Sequence, residues 1–308
     1  MTSQSDALRD VGILGGMPLP AVATTRLGPM EYAVWGGQGP VVMALHGAMG
    51  GYDQGVLLAR AIGPADCRYI AVSRPGYLGT PLGGRESPEA QADLCAALLD
   101  ALGIGQVTAM AISGGGPCAL HFALRHKDRC QGLVLVSTCG GRIETPLPPA
   151  YHLLQWMVRW PALARWMRKK ATRDLERAAR RSVTDAALRE AMLRDPGTRA
   201  LFEALTASTA DRLPLRFPGT RNDIAVTRAR EYPLEDVAVP TLVVHGARDP
   251  HVPFARHAQA LATRIPDAAL LAAEGGEHAC LFTHRDLIRT RVARFMAELE
   301  NDAGSAPD

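Results

Sequence analysis

Continuous apolar runs and one-sided helical patterns alternate along most of this chain. Val41–Leu45 is apolar throughout, and Tyr69–Ser73, Val107–Ile112, Leu133–Ser137 and Thr241–His245 are similar in character. Runs without in–out alternation are what strands buried on both faces look like. Tyr32–Trp35 and Ala269–Ala273 complete the set of expected strands. Helical segments separate most of them. The clearest runs from Pro88 to Leu102, where Ser87 can cap the start, Pro88 suits the first position and Gly103 ends the helix. Its Leu94, Ala97, Leu98, Ala101 and Leu102 fall on one face. This alternation predicts an α/β fold built on a mostly parallel, doubly wound sheet.

The pattern breaks at about Gly141. From there to Asp236 only helix-like stretches rich in Ala, Leu and Arg occur, broken by Pro161, Pro196, Pro214 and Pro218, and the sheet pattern resumes at Val237. The expected organisation is a core in two parts, residues 1–141 and 237–308, with a helical block over 142–236. Trp156, Trp160 and Trp166 lie in this block with Tyr151 and Phe202. Their rings either wall a substrate cleft or pack the block onto the core. Phe217–Ile224 reads as a polar turn, with a substrate contact from Asn222 or Asp223 as the functional alternative.

Composition narrows the class. A chain of 308 residues that is 47% hydrophobic can bury a large core. No apolar run approaches the roughly 18 residues of a membrane span, so no integral membrane segment is expected. Met1–Asp10 lacks the basic-then-apolar order of a secretory signal. Residues up to about Ala21 and the tail from Asn301 are expected to be loosely ordered. Cys67, Cys95, Cys118, Cys130, Cys139 and Cys280 show no paired spacing and fall mostly in apolar segments. Buried reduced thiols and a cytoplasmic location follow from that usage.

Charge adds little. Residues 141–236 carry 18 Lys and Arg against 12 Asp and Glu, within a net charge of +3 for the chain. The run Arg165–Arg181 also holds Asp174 and Glu176, so a solvated helix face explains it better than an anion-binding surface. Without a reader motif, nucleic acid is not an expected partner. No ligand spacing among the histidines points to a metal, and no Gly-rich loop points to a phosphate cofactor. The oligomeric state is not legible.

The chemistry sits at strand ends. Val107–Ile112 runs into Ser113-Gly114-Gly115-Gly116-Pro117, and a helix-like segment follows at once. A chain passing from strand to helix so abruptly holds the serine in a strained turn, and the residues two before and two after it, Ala111 and Gly115, must be small. A serine hydroxyl needs a base, and that base needs a carboxylate to fix its tautomer. Asp249 follows Leu242–His245, and His278 follows Ala269–Ala273, each just past a strand end where open α/β sheets place their crevice. The chain order Ser113, Asp249, His278 is the order this architecture uses. An oxyanion needs two N–H donors. Gly114 is one candidate; the loop His46–Gly51 after Val41–Leu45 supplies the other from Ala48 or, failing that, Met49. His46 reads as a structural residue bonding the loop. Tyr77 in the Ser73–Gly79 loop reads equally as pocket lining or packing.

These motifs occur in the order seen in α/β-hydrolase-fold enzymes, which the chain resembles over nearly all its length outside the middle block. The pieces are His46-Gly47-Ala48-Met49-Gly50, Ser73–Gly79, Ile112–Pro117, Gly246–Asp249 and Gly275–His278. Two departures stand out: Ala111 opens the elbow where glycine is commoner, and the oxyanion loop is neither HGGG nor HG-x-P-G. The resemblance implies that the middle block is a cap setting substrate choice, with Met49, Trp156, Trp160 and Asn222 as candidate substrate contacts. It also implies a cofactor-free serine hydrolase acting on a small-molecule ester, thioester or lactone. A carbon–carbon bond hydrolase is the alternative, and a non-catalytic ligand-binding protein on the same fold is the alternative of a different class.

Overall fold

The computed structural model describes residues 16–147, 149–158, 160 and 174–304. Pro161, Trp166, Met1–Asp10 and the first part of the Arg165–Arg181 run lie outside them. Eight strands form one sheet: β1 (Ala21–Thr25), β2 (Gly28–Gly36), β3 (Val41–Leu45), β4 (Arg68–Val72), β5 (Val107–Ile112), β6 (Cys130–Val136), β7 (Thr241–Gly246) and β8 (Ala268–Ala273). Their order is β1-β2-β4-β3-β5-β6-β7-β8. β1 and β2 are antiparallel at one edge, and all pairings from β4 to β8 are parallel. β1 has no counterpart in the apolar pattern. It is a mostly exposed edge strand, so burial imposes no run of large apolar residues on it.

Both faces of the sheet are covered, and the pleat sorts each strand between them. Met43 and Leu45 face one core with Leu94, Leu98, Leu120, Phe122 and Leu261. Val42 and Ala44 face the other with Val56, Ile62, Val292 and Phe295. This doubly wound arrangement explains the continuous apolar runs. The Pro88–Ala101 helix is as expected, with Ser87 Oγ accepting from Ala90 N–H at 3.2 Å.

Between β6 and β7 the described insert is helical: Pro149–Met157, Leu175–Ser182, Ala186–Arg194, Pro196–Ala210 and Leu213–Ala229. The prolines expected to break it do not all do so. Pro196 and Pro214 occupy first-turn positions, where a missing N–H costs nothing. Pro218 lies inside the last helix, and the Phe217–Ile224 segment expected to be a turn is part of that helix. A regular helix would pair Gly219 N–H with Leu215 C=O. Here Gly219 N–H donates to Gly76 C=O and Leu215 C=O accepts from Leu78 N–H, both at 2.8 Å. Pro218 disturbs the ladder at this turn, and the core loop after β4 supplies the partners.

Candidate active site

Ser113 directly follows β5 with φ of 50°, in the left-handed region that a non-glycine residue occupies only under constraint. The turn passes through Ser113–Gly115 into the Gly116–Arg125 helix. Its tightness excludes side chains: a Cβ on Gly115 would lie 2.6 Å from His46 O and 2.8 Å from Leu45 O. Ala111 is fully buried. Thr138 Oγ1 donates to Ser113 C=O at 2.6 Å and holds the turn from β6's side.

The loops after β5, β7 and β8 bring three predicted residues together. His278 Nε2 lies 3.0 Å from Ser113 Oγ, and His278 Nδ1 lies 2.7 Å from Asp249 Oδ2. Asp249 Oδ1 accepts the N–H groups of His251 and Val252 at 2.8 and 2.9 Å. Its Oδ2 also lies 3.3 Å from Nε2 of the buried His245, which is 2.8 Å from Val252 O. Burial opposes charge on Asp249. Hydrogen bonds with His245, His278 and Val252 N–H outweigh it and hold the carboxyl well below the usual carboxylate range. A fixed anion on Nδ1 favours the tautomer whose Nε2 accepts the serine proton.

The loop after β3 packs on the turn. A Cβ on Gly47 would lie 3.2 Å from Ser113 Cβ, and one on Gly114 would lie 3.2 Å from Ala48 N. Met49 N–H donates to Thr220 Oγ1 at 2.9 Å. Among the described residues Ala48 N–H has no hydrogen-bond acceptor, so it is the donor available to a ligand beside Gly114. His46 is fully buried, and Nδ1 meets Gly47 O at 2.7 Å while Nε2 accepts from Arg74 N–H at 3.0 Å. Burial and then the Arg74 charge push its pKa well down, so it stays neutral.

Of the other predicted contacts, Met49 packs with Tyr151, Val158, Leu213 and Phe217 in a small apolar cluster between loop and insert. Trp156 and Trp160 are more than half exposed, with ring centroids 6.3 Å apart. Asn222 donates its amide to Glu86 O at 2.8 Å. Tyr77 is fully buried and donates to Asp223 Oδ2 at 2.5 Å.

Several polar contacts between insert and core have no sequence signal. Arg216, buried, pairs with Asp53 at 3.0 and 2.6 Å. Glu277, next to His278, accepts from Thr184 N–H and Oγ1 at 2.8 and 2.6 Å. Arg74 pairs with Asp223 across 149 residues. The charged residues were visible, but nothing local tells which distant partner each takes.

A parallel sheet with a sharp serine turn and a helical insert defines the α/β-hydrolase class. A family profile described as alpha/beta hydrolase fold matches residues 40–285, and the chain belongs to that family. It is 30% identical over 228 residues to a pimeloyl-acyl-carrier protein methyl ester esterase of Aromatoleum aromaticum, covering 72% of this chain and 84% of that one. It is 29% identical over 228 residues to a 2-hydroxymuconate semialdehyde hydrolase of Pseudomonas putida, covering 73% and 74%. An alpha/beta hydrolase fold protein from Nakamurella multipartita superimposes with a TM-score of 0.80 at 30% identity, over 91% of this chain and 98% of that one. The chain is a hydrolase of this fold with esterase-like relatives. Among the described residues, no helix is long and apolar enough to cross a membrane.

Proposed function

We propose that this protein is a serine hydrolase that cleaves a carboxylic ester, thioester or lactone of a small to medium organic acid through an acyl-enzyme. The observation that carries this reading is the line Ser113 Oγ, His278, Asp249, with contacts of 3.0 and 2.7 Å. Ser113 Oγ attacks the carbonyl carbon as its proton passes to His278 Nε2. The carbonyl π pair moves onto oxygen, which Gly114 and Ala48 N–H groups receive. Asp249 stabilises the imidazolium. Collapse expels the alcohol or thiol, which takes the proton from His278. Water, deprotonated by His278, then attacks the acyl carbon; the acid leaves and Ser113 regains its proton. Nothing in this sequence requires a cofactor. Residues 142–236 act as the cap that selects substrate, and the protein works on small molecules in the cytoplasm.

A methyl ester esterase among the relatives supports the ester reading. The semialdehyde hydrolase among them favours a second one, cleavage of a carbon–carbon bond with the same triad. Fluorophosphonate labelling read by intact mass tests the shared part. One adduct on the wild type, located to Ser113 and absent from Ser113→Ala, is expected. Folded wild type that takes no adduct would instead favour a ligand-binding protein. Turnover of p-nitrophenyl esters against ring-fission ketones, both followed by absorbance, separates the two chemistries.

A further inference from the structure

The last insert helix, Leu213–Ala229, presents one polar stripe to the core. Arg216, Thr220, Asp223 and Thr227, spaced by four, three and four residues, are all among its buried positions. Two of them reach the proposed oxyanion loop. Thr220 Oγ1 donates to Arg216 C=O at 2.9 Å within the helix, so its lone pair is free to take Met49 N–H at 2.9 Å. Asp223 grips Arg74 with both oxygens, at 2.8 and 2.5 Å, and also accepts from Tyr77.

Arg74 carries that grip to the loop. Its Nε donates to His46 O at 3.0 Å, Nη2 to Gly47 O at 3.4 Å and Nη1 to Gln91 Oε1 at 3.2 Å. With the two bonds to Asp223, each of its five N–H groups has an acceptor. Gly47 C=O and Ala48 N–H belong to one planar trans peptide and point in opposite directions. Gripping Gly47 O from behind, by Arg74 and by His46 Nδ1–H, therefore aims Ala48 N–H the other way. Thr220 fixes the next peptide through Met49 N–H. The aim of the second oxyanion donor is thus set by a helix of the insert.

Electrostatics make the pairing asymmetric. Asp223 Oδ2 would lie 2.9 Å from a Cβ on Gly114, so a carboxylate sits close against the residue that offers the first donor. Unneutralised, it would oppose an oxyanion forming there. Burial disfavours the Arg74 charge, but Asp223 more than offsets that and holds the guanidinium protonated; Tyr77, buried against Asp223, also stays protonated.

We infer that Thr220, Asp223 and Arg74 are positioning residues that orient the Ala48 N–H for catalysis, so that Leu213–Ala229 is a fixed part of the catalytic framework rather than a mobile lid. This rests on the hydrolase reading above for its kinetic consequence, but not for its structural one.

Thr220→Val, which removes the hydroxyl and keeps the volume, is compared with Thr220→Ser and wild type by hydrogen–deuterium exchange and steady-state ester kinetics. Exchange across residues 46–50 should accelerate in Thr220→Val while residues 276–280 stay unchanged. kcat should fall about 10-fold, with KM moving by less than about two-fold, because the contact matters only where the oxyanion forms. Thr220→Ser should restore both. Arg74→Met should lower kcat by about 100-fold or more, and Arg74→Met with Asp223→Leu should recover part of it, since the stranded carboxylate is gone. Unchanged loop exchange in Thr220→Val overturns the inference, as does a loss seen only in KM. If wild type neither turns over esters nor takes a phosphonate adduct, the hydrolase reading fails, and loop exchange alone decides whether the helix fixes the loop.

Discussion

Asp249 and His278, 29 residues apart and on loops after neighbouring strands, meet at 2.7 Å through Oδ2 and Nδ1. Asp249 is buried and its other oxygen is taken by two backbone N–H groups, so the contact has one geometry available. Asp249→Asn should therefore leave the fold in place and present an amide to Nδ1, favouring the wrong tautomer. Ester turnover should drop on the order of 10³- to 10⁴-fold. Single-turnover acylation rates would check this, with circular dichroism reporting the fold.

Gly115 has no room for a methyl group: the carbonyl oxygens of Leu45, the last residue of β3, and of His46, the first of the loop after it, stand within 2.8 Å of the Cβ position. Neither oxygen can move without shifting β3's end and the loop bearing Ala48. Gly115→Ala should destabilise by about 1–3 kcal/mol, and should cut turnover further by moving Ser113 away from Ala48. Urea unfolding beside ester kinetics would show both losses.

His257 is 1% exposed, and among the described residues neither ring nitrogen has a partner. Burial first, and then the neighbouring His245, push its pKa down to about 4. In the unfolded chain it titrates at about 6.5. The unfolded form thus takes up a proton that the folded form refuses, so stability is full above that value and is lost as pH falls toward 4. The slope this one proton adds reaches at most ~1.4 kcal/mol per pH unit. Urea midpoints of wild type and His257→Leu from neutral to mildly acid pH should diverge in slope, the variant being flatter.

All six cysteines are buried and free. Burial pushes Cys67 and Cys280 up to about 11 and Cys130 and Cys139 up to about 12. Thiolate, the reactive form, is scarce at neutral pH. Native protein should react negligibly with Ellman's reagent and lose no activity to iodoacetamide, and the denatured chain should release six thiols. Rapid reaction of the native protein would contradict this.

Local pattern carried much of this protein. Strands buried on both faces must be apolar at every position, so the parallel sheet was written in runs such as Val41–Leu45. The turn at Ser113 admits only small flanking residues, and Asp249 and His278 follow strands directly, so these candidates were legible from the residues beside them. Edge strand β1 was not, because an exposed strand need not be apolar. The Pro218 helix was not either, because its displaced hydrogen bonds are completed by Gly76 and Leu78 from a distant loop. Only the tertiary structure shows that, among the described residues, the Met49 N–H is taken while the Ala48 N–H is not, since the acceptor for Met49 is a Thr220 hydroxyl 171 residues away. The same holds for Arg74 and Asp223. A charge announces that it needs a partner, but which one it finds depends on the packing of the insert against the core.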